Sequence, residues 1–456
     1  MAKMGVHGQW SSSWAFILAA AGSAVGIGNV WRFSYVAGEN GGGAFVLAYI
    51  VCVLLLGLPI MIAEIMIGRR ARQNPIGAIR LIAMEEGRSR HWSIIGWLGV
   101  ATGVSILSYY SVVAGWVLHY VFLSVSGWGA QSQDGVGELF GDLLGSPGLL
   151  LLLHTVFMGM TVTVQALGVQ EGLERSVKLL MPALFGLLLL MVGYGLQTPG
   201  FGRSVEYLFR PDFPYLLENP GVFLVAMGQA FFSLSVGMGA LIAYGAYLPE
   251  KGSIVRMAGC VAALDTLVAV LAGLMIFPLV FSYGLEPAQG VGLIFKVLPI
   301  AFGQMPWGAL FSVLFFLLLS FAAWTSAISI LEPAVAWLIE SRGWSRFRAA
   351  VTAGGTAWLL GVGALLSFNL WQQYQLLGKT FFDWLDYLTT NIMLPLGALL
   401  IALFAGWRIS RRSSREELGL PDGLAYRSWR LAIRFLAPVG FLAIFLHASG
   451  ILDLGG

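Results

Sequence analysis

Long apolar segments separated by short polar loops run along nearly the whole chain. Segments of about 20 apolar residues are long enough to cross a membrane as helices. The pattern predicts one all-α membrane domain over residues 1–456 with eleven transmembrane helices. These are predicted at residues 13–37, 42–69, 92–126, 147–167, 173–196, 220–248, 254–283, 305–340, 347–368, 380–408 and 427–450.

Composition supports a membrane protein and excludes several other classes. Hydrophobic residues make up 58% of the chain and charged residues only 11%, whereas soluble domains are about 25% charged. The net charge of +3 is too small to suggest a nucleic-acid partner. Cys52 and Cys260 lie in apolar runs, and the five histidines lack the spacing of metal ligands, so no transition-metal site is expected.

The distribution of positive charge predicts the orientation. Most of the 26 Lys and Arg residues fall in alternate loops, and only Arg203, Arg210, Lys296 and Lys379 fall in the opposite ones. Because positive loops stay in the cytoplasm, we expect a cytoplasmic N-terminus and an extracytoplasmic C-terminus in the inner (plasma) membrane. The half-polar segment 284–304 is either an external re-entrant or lid element or a plain surface loop.

Two predicted helices carry clusters of glycine and polar residues at mid-length. The first is "AAAGSAVGIGNVWRF" at 19–33, and the second is "GQAFFSLSVGMGALIAYGAY" at 228–247. The spacing of Gly22, Gly26 and Gly28 faintly suggests a dinucleotide loop, but such a loop needs a βαβ unit, which a membrane span excludes. Interrupted helices at corresponding places in two halves of a chain instead indicate a transporter binding site.

Unwound backbone in a membrane is tolerated only where it lines a cavity or is buried in protein. Its free carbonyl groups can coordinate a cation. The half-helix that starts near Gly26 directs amide N–H groups and a positive dipole end at its ligand, which suits a carboxylate. A zwitterion together with sodium satisfies both requirements. No constellation of catalytic residues occurs, so an enzyme is not expected.

Six motifs occur in the order found in one known family: "AAAGSAVGIGNVWRF", "ENGGGAF", "GLPIMIAEIMIGR", "GQAFFSLSVGMGA", "FAAWTSAISILEP" and "FFDWLDYL". Over residues 9–450 the chain resembles the neurotransmitter:sodium symporter family, and within it the eleven-span bacterial transporters of hydrophobic amino acids. The resemblance implies the leucine-transporter fold. Helices 1 and 6 would be discontinuous, the five-helix repeats 13–196 and 220–408 would be inverted copies, and an eleventh helix would lie at 427–450.

The resemblance also implies the residues of the site. Two sodium ions would bind, the first at Ala24, Asn29, Ser233 and Asp265, the second at Gly22, Val25, Ala322, Thr325 and Ser326. The substrate pocket would be lined by Ala24, Gly26, Ile106, Tyr110, Val113, Phe232, Ser233, Ser235, Met238, Ser326 and Ile330. The outer gate would use Arg32, Asp386, Gln229 and Phe232, and the inner gate Tyr247 and Glu340. Tyr110 would donate its hydroxyl to the substrate carboxylate, whereas Tyr109 is expected to be a packing residue.

The chain departs from the family pattern in three respects. Asp265 stands where many relatives have asparagine, and Ala269 where chloride-dependent relatives have serine, so we expect a fixed carboxylate to replace chloride. At the inner gate His7 stands where the family has arginine, and Lys3 is the alternative partner. Met238 replaces a phenylalanine of the leucine transporter.

Gly26 favours an amino acid, because relatives that carry monoamines have an aspartate at this position. With an otherwise apolar pocket, the expected substrate is a neutral hydrophobic L-amino acid. Two alternatives stay open: a sodium-coupled carrier of another small zwitterion or osmolyte, which would need an aromatic cage, and a sensor that does not transport. For Glu39, Glu64 and Glu332, a hydrogen bond to unwound backbone is favoured over proton coupling. The oligomeric state and the role of Ser23 stay open.

Overall fold

Helices form where the chain is apolar, and polar residues cap their ends. The Ser12 hydroxyl accepts a hydrogen bond from Ala15 N at 3.1 Å at the start of the first helix. Thr380 and Asp383 form a reciprocal capping box at the start of another. The computed structural model describes residues 8–126, 133–250, 252–286 and 292–448, and within these ranges the fold is all-helical.

The described chain contains nineteen helices, several of which include a π-helical turn. The first ten are α1 (Ser13–Ala24), α2 (Gly28–Glu39), α3 (Gly43–Ala71), α4 (Pro75–Glu85), α5 (Arg90–Val125), α6 (Gln133–Leu144), α7 (Pro147–Leu167), α8 (Val169–Gly195), α9 (Phe201–Phe209) and α10 (Phe213–Glu218). The others are α11 (Gly221–Ser233), α12 (Ala240–Ala246), α13 (Ile254–Ser282), α14 (Leu293–Gln304), α15 (Gly308–Arg342), α16 (Arg346–Leu366), α17 (Phe381–Arg408), α18 (Arg411–Leu418) and α19 (424–448).

Eight described helices are long and apolar enough to cross a membrane: α3, α5, α7, α8, α13, α15, α16 and α17. Helices α1 and α2 together make a ninth crossing that is bent by 55° at its break. The remaining two predicted spans correspond to the interrupted pair α11–α12 and to α19. The total of eleven spans and the inverted repeats stay predictions.

The segment predicted as either a lid element or a plain loop forms a packed helix, α14. Leu293, Ile294 and Phe295 are buried, and the Phe295 ring stacks on Phe140 with centroids 5.3 Å apart. The Tyr120 hydroxyl donates to Phe295 O at 2.9 Å. A plain surface loop is therefore the wrong interpretation for residues 293–304.

Glycines bring the end of α3 against α12 with backbone touching backbone. A Cβ atom on Gly68 would collide with Ile242 O, and one on Gly245 would lie 2.7 Å from Ile65 O. The pair is further held by Arg69, whose guanidinium donates to Gly252 O at 2.9 Å and binds Glu417. The second half of α3 and the whole of α12 therefore pack as one unit.

Two glycines on α5 bring this long helix close to the helix breaks. A Cβ atom on Gly103 would lie 3.0 Å from Ile330 O on α15, and one on Gly99 would lie 3.1 Å from the Met238 carbonyl. A larger side chain at either position would push α5 away. This packing places Ile106 and Tyr110, further along α5, beside the breaks.

Candidate functional site

The breaks of the two interrupted helices face each other at the centre of the bundle. The first lies between Ala24 and Gly28, and the second spans residues 234–239. The Ser235 hydroxyl donates to Ser23 O at 2.9 Å across the gap. Ser235, Gly237 and Gly239 all have positive φ angles, of 53°, 91° and 77°, a region that favours glycine and is costly for serine.

A buried carboxylate holds the second break. Glu64 on α3 is fully buried, and its Oε1 accepts a hydrogen bond from Gly237 N at 2.6 Å. An unpaired amide at this depth would be costly, so Glu64 replaces the intrahelical partner that the break removes. The interaction agrees with the expected hydrogen bond to unwound backbone. Glu39, by contrast, is exposed at the end of α2.

The predicted first sodium site is assembled around the Asp265 carboxylate. Asp265 is fully buried and accepts hydrogen bonds from Asn29 Nδ2 at 2.7 Å and from Ser233 Oγ at 2.9 Å. Asn29 Oδ1 accepts from Gly26 N at 3.0 Å. Three separated parts of the chain therefore converge, and their oxygen atoms are the ligands that hard cations prefer.

Tyr49 also belongs to this cluster, although the sequence analysis missed it. Its hydroxyl donates to Asp265 Oδ2 at 2.9 Å and lies 3.2 Å from Ser233 Oγ. The side chain is fully buried on α3. In the sequence Tyr49 is one aromatic residue in an apolar run, and only its contact with a residue 216 positions away distinguishes it.

The predicted second sodium site is also brought together. Ser326 Oγ on α15 lies 3.3 Å from both Gly22 O and Val25 O at the first break. The Thr325 hydroxyl lies 3.1 Å from Ala322 O in the same helix. A Cβ atom on Gly22 would be 3.3 Å from the Thr325 Cβ, so α1 and α15 are in close contact. The donor set is again carbonyl and hydroxyl oxygen, which fits sodium.

Ten of the eleven predicted pocket residues line one small cavity between the breaks. They are Ala24, Gly26, Ile106, Tyr110, Phe232, Ser233, Ser235, Met238, Ser326 and Ile330. The cavity has a volume of about 20 Å³, which is enough for about one water molecule, since a water needs roughly 10–15 Å³ on this measure. A bound amino acid therefore requires the surrounding side chains to move outward.

Tyr110 and Ser23 each place a hydroxyl group at this cavity. The Tyr110 hydroxyl accepts a hydrogen bond from Ile27 N at 3.3 Å, next to the start of the half-helix α2. Ser23 also lines the cavity, and its buried Oγ has no hydrogen-bond partner among the described residues. The sequence leaves the role of Ser23 open, and the structure places this residue in the wall of the small cavity.

A larger cavity of about 380 Å³ lies above the small one. Gly28, Tyr110 and Phe232 line both cavities, so the Phe232 ring forms part of the wall between them. The eleventh predicted pocket residue, Val113, lines only the upper cavity.

Arg32 and Asp386, the predicted outer gate, both line the upper cavity. The Arg32 guanidinium lies 4.7 Å above the centre of the Phe232 ring, which is a cation–π contact. Among the described residues no carboxylate oxygen lies within 4.0 Å of Arg32. Gln229, expected to bridge the pair, instead donates to Gly28 O at 3.2 Å.

At the opposite end of the site, the predicted inner-gate residues Tyr247 and Glu340 both bind polar groups of other helices or loops. The Tyr247 hydroxyl donates to Glu332 at 2.5 Å, and Glu332 forms a 2.6 Å ion pair with Arg346. Glu332 thus binds side chains and not the unwound backbone expected from the sequence. Glu340 accepts hydrogen bonds from Asn74 N at 2.9 Å and 3.0 Å. His7 and Lys3 lie outside the described residues.

Comparison with known sequences finds one family whose profile matches most of the chain. The profile of the sodium:neurotransmitter symporter family matches residues 7–134 and 140–451. The chain is 40% identical to an uncharacterized sodium-dependent transporter, YhdH, of Bacillus subtilis (strain 168), over 98% of each protein. It is 35% identical to an uncharacterized sodium-dependent transporter of Haemophilus influenzae, covering 96% of this chain and 97% of that protein.

The fold is also similar to that of a solved structure. The crystal structure of MhsT in complex with L-phenylalanine superposes with a TM-score of 0.89 and 43% sequence identity. The match covers 97% of this chain and 99% of MhsT.

Proposed function

Because the chain belongs to the sodium:neurotransmitter symporter family and is a sodium-dependent membrane transporter rather than an enzyme, we propose that it imports neutral hydrophobic L-amino acids. The observation that carries this proposal is the small cavity at the two helix breaks. It combines the N-terminal end of a half-helix with an apolar wall, and no charged side chain lines it.

The backbone at Gly26 and the Tyr110 hydroxyl would bind the substrate carboxylate. Amide groups at a helix N-terminus favour negative charge, and Gly26 leaves the approach open. Ile106, Met238 and Ile330 would surround an apolar side chain. The L-phenylalanine bound by MhsT supports a substrate of this class. Methionine adapts its shape readily, so Met238 suits a pocket that accepts side chains of different size.

Two sodium ions would drive transport, one at each oxygen cluster. The first would bind Ala24, Asn29, Ser233 and Asp265, and the second Gly22, Val25, Ala322, Thr325 and Ser326. Each elementary charge moved across the membrane is worth about 2.3 kcal/mol per 100 mV. Because the Asp265 carboxylate supplies a fixed negative charge beside the first ion, transport would not require chloride.

In alternating access, substrate would enter through the upper cavity, which we place on the outside. Closure would bring Arg32 and Asp386 together above Phe232. Release would require movement of the Tyr247–Glu332–Arg346 group and of Glu340 on the inner side. In this orientation the N-terminus is cytoplasmic and the C-terminus extracytoplasmic.

Uptake of a labelled amino-acid panel into proteoliposomes tests the proposed function. We expect accumulation of phenylalanine, leucine or similar amino acids only when an inward sodium gradient is imposed. Uptake should be unchanged when gluconate replaces chloride. Exclusive uptake of glycine, proline, a charged amino acid or a betaine would contradict the proposed substrate class. Binding without accumulation would instead indicate a sensor.

Replacing Tyr110 by phenylalanine should weaken substrate binding by roughly tenfold to a hundredfold, because one hydrogen bond to a charged group contributes about 1.5–3 kcal/mol. The apparent sodium affinity measured without substrate should change little. Tyr109→Phe is the matched control, since the Tyr109 hydroxyl contacts Thr389 at 3.2 Å and not the small cavity. Equal losses in both variants would contradict the assigned role of Tyr110.

Replacing Tyr49 by phenylalanine should lower the apparent sodium affinity several-fold, because Asp265 loses one of its three hydrogen-bond donors. The effect should appear as a higher sodium concentration for half-maximal uptake, with the substrate preference unchanged. Tyr207→Phe is a control on α9, where the hydroxyl donates only to backbone oxygens at 3.2 Å. A normal sodium dependence of Tyr49→Phe would contradict this prediction.

A further inference from the structure

A third cavity, of about 190 Å³, lies far from the helix breaks, where α17 ends and α18 and α19 begin. Its wall includes Arg411, Arg427, Arg430 and Arg434, together with the single acidic residue Asp422. Nothing in the transport cycle proposed above uses this cavity. A single water molecule needs roughly 10–15 Å³ on this measure, so the cavity has room for a phosphate group.

The arginines of this cavity carry more positive charge than the protein neutralises. Asp422 is already shared, with Arg427 at 3.3 Å and Arg415 at 4.0 Å. Within the described part of the chain, Arg411, Arg430 and Arg434 have no carboxylate within 4.0 Å. An excess of positive charge in a partly enclosed space favours an anionic ligand.

Arg430 is built into the wall of the cavity. Only 5% of the residue is exposed, and its Nη2 donates to Ile409 O at 2.9 Å, at the end of α17. Its buried Nε has no hydrogen-bond partner among the described residues. Arg434 is similarly fixed, because its Nε donates to Gly406 O at 2.6 Å and its guanidinium lies 4.8 Å from the centre of the Trp407 ring.

An exposed apolar strip begins at the cavity and continues along α19. Leu431 and Phe435 line the cavity, and both are about half exposed. Val439 and Leu442 follow at helical spacing on the same side and are 66% and 55% exposed. The half-exposed Trp407 lies beside Phe435, with ring centroids 5.7 Å apart. Tryptophan is enriched where a membrane meets water, which places the cavity at headgroup level.

We propose that this cavity binds the phosphate headgroup of an anionic phospholipid, with the acyl chains along Leu431, Phe435, Val439 and Leu442. Arg411, Arg430 and Arg434, which lack a carboxylate partner within the described part of the chain, account for binding of the headgroup charge. The apolar strip accounts for a lipid in preference to free phosphate. Basic pockets between transmembrane helices on the cytoplasmic side bind such headgroups. In the orientation proposed above, the lipid belongs to the cytoplasmic leaflet.

The test uses the full-length purified protein in detergent with phosphatidylglycerol, and measures bound lipid by native mass spectrometry and Tm by thermal unfolding. Phosphatidylglycerol should be retained and should raise Tm, whereas phosphatidylcholine should do neither. Inorganic phosphate and glycerophosphoglycerol, which lack acyl chains, should not displace the lipid at equal concentration. Displacement or an equal rise in Tm by inorganic phosphate would overturn the assignment to a lipid.

The variant Arg411→Gln/Arg434→Gln should retain phosphatidylglycerol roughly tenfold less well. Arg411→Gln alone is a milder variant, because the Arg411 side chain makes no described hydrogen bond or ion pair, and it should show a smaller loss in the same direction. Arg412→Gln is the matched control, since Arg412 lies on α18 but pairs with Glu416 outside the cavity. Equal retention by Arg411→Gln and Arg412→Gln would overturn the proposal.

Discussion

Sodium-driven uptake is expected to fall sharply when Asp265 is replaced by asparagine. The substitution keeps the shape of the side chain but removes the negative charge beside the proposed first sodium ion. At an effective dielectric constant of about 20, two unit charges about 4 Å apart interact by roughly 4 kcal/mol. If reorganisation offsets half of this energy, the sodium affinity still decreases about 30-fold.

The measurement is the sodium dependence of uptake into proteoliposomes, with chloride present and with gluconate in its place. Asp142→Asn serves as a matched control. Asp142 is exposed on α6, is far from the helix breaks in sequence, and lines neither the small nor the upper cavity. Wild-type protein and the control should behave alike in both anions. Normal sodium affinity of Asp265→Asn in gluconate would refute the role of the carboxylate as a replacement for chloride.

The second large effect is expected at Gly26, where even one added methyl group should weaken substrate binding strongly. A Cβ atom at this position would lie 2.7 Å from Ser326 Oγ and 3.1 Å from the Tyr110 hydroxyl. It would intrude between the proposed carboxylate position and the second sodium site. Because overpacking costs roughly 1–3 kcal/mol, Gly26→Ala should reduce substrate binding by roughly tenfold to a hundredfold.

Gly186→Ala is the control that isolates this steric effect. Gly186 lies inside α8 with no atom within 4 Å of an added Cβ, so alanine there should leave uptake unchanged and should slightly favour the helix. The Tm of both variants, measured without sodium, distinguishes loss of binding at the site from misfolding of the protein. Full uptake by Gly26→Ala would show that the position does not touch the substrate.

The sequence predicted the central features of this site because they depend on local chemistry. Glycine clusters in apolar segments predict helix breaks, and the structure has non-helical backbone in both clusters. The predicted partners Asn29, Ser233 and Asp265 are in contact. Their positions came from a family resemblance, since no periodicity in the chain relates α2 to α13.

Features that depend on contacts between distant segments could not be predicted in the same way. Tyr49 reaches Asp265 only because α3 packs beside α13, and nothing near Tyr49 in sequence indicates this. The sequence predicts that Glu332 binds unwound backbone. Arg346 lies fourteen residues later, at the start of α16, and forms an ion pair with Glu332 instead. Polar residues at the start of segment 284–304 made the apolar pattern of α14 difficult to recognise in the sequence.

The close contact of α3 and α12 restricts which parts of the site can move independently. Gly68 and Gly245 each face the backbone of the other helix, which lies too close for a side chain at either position. Glu64, on the same half of α3, accepts a hydrogen bond from Gly237 N in the second break, so α3, α12 and the break are joined by one continuous set of contacts. Because α3 is unbroken over Gly43–Ala71 and its first half packs against α11, any bending at residues 234–239 would have to change the contacts of α3 with α11 or with α12.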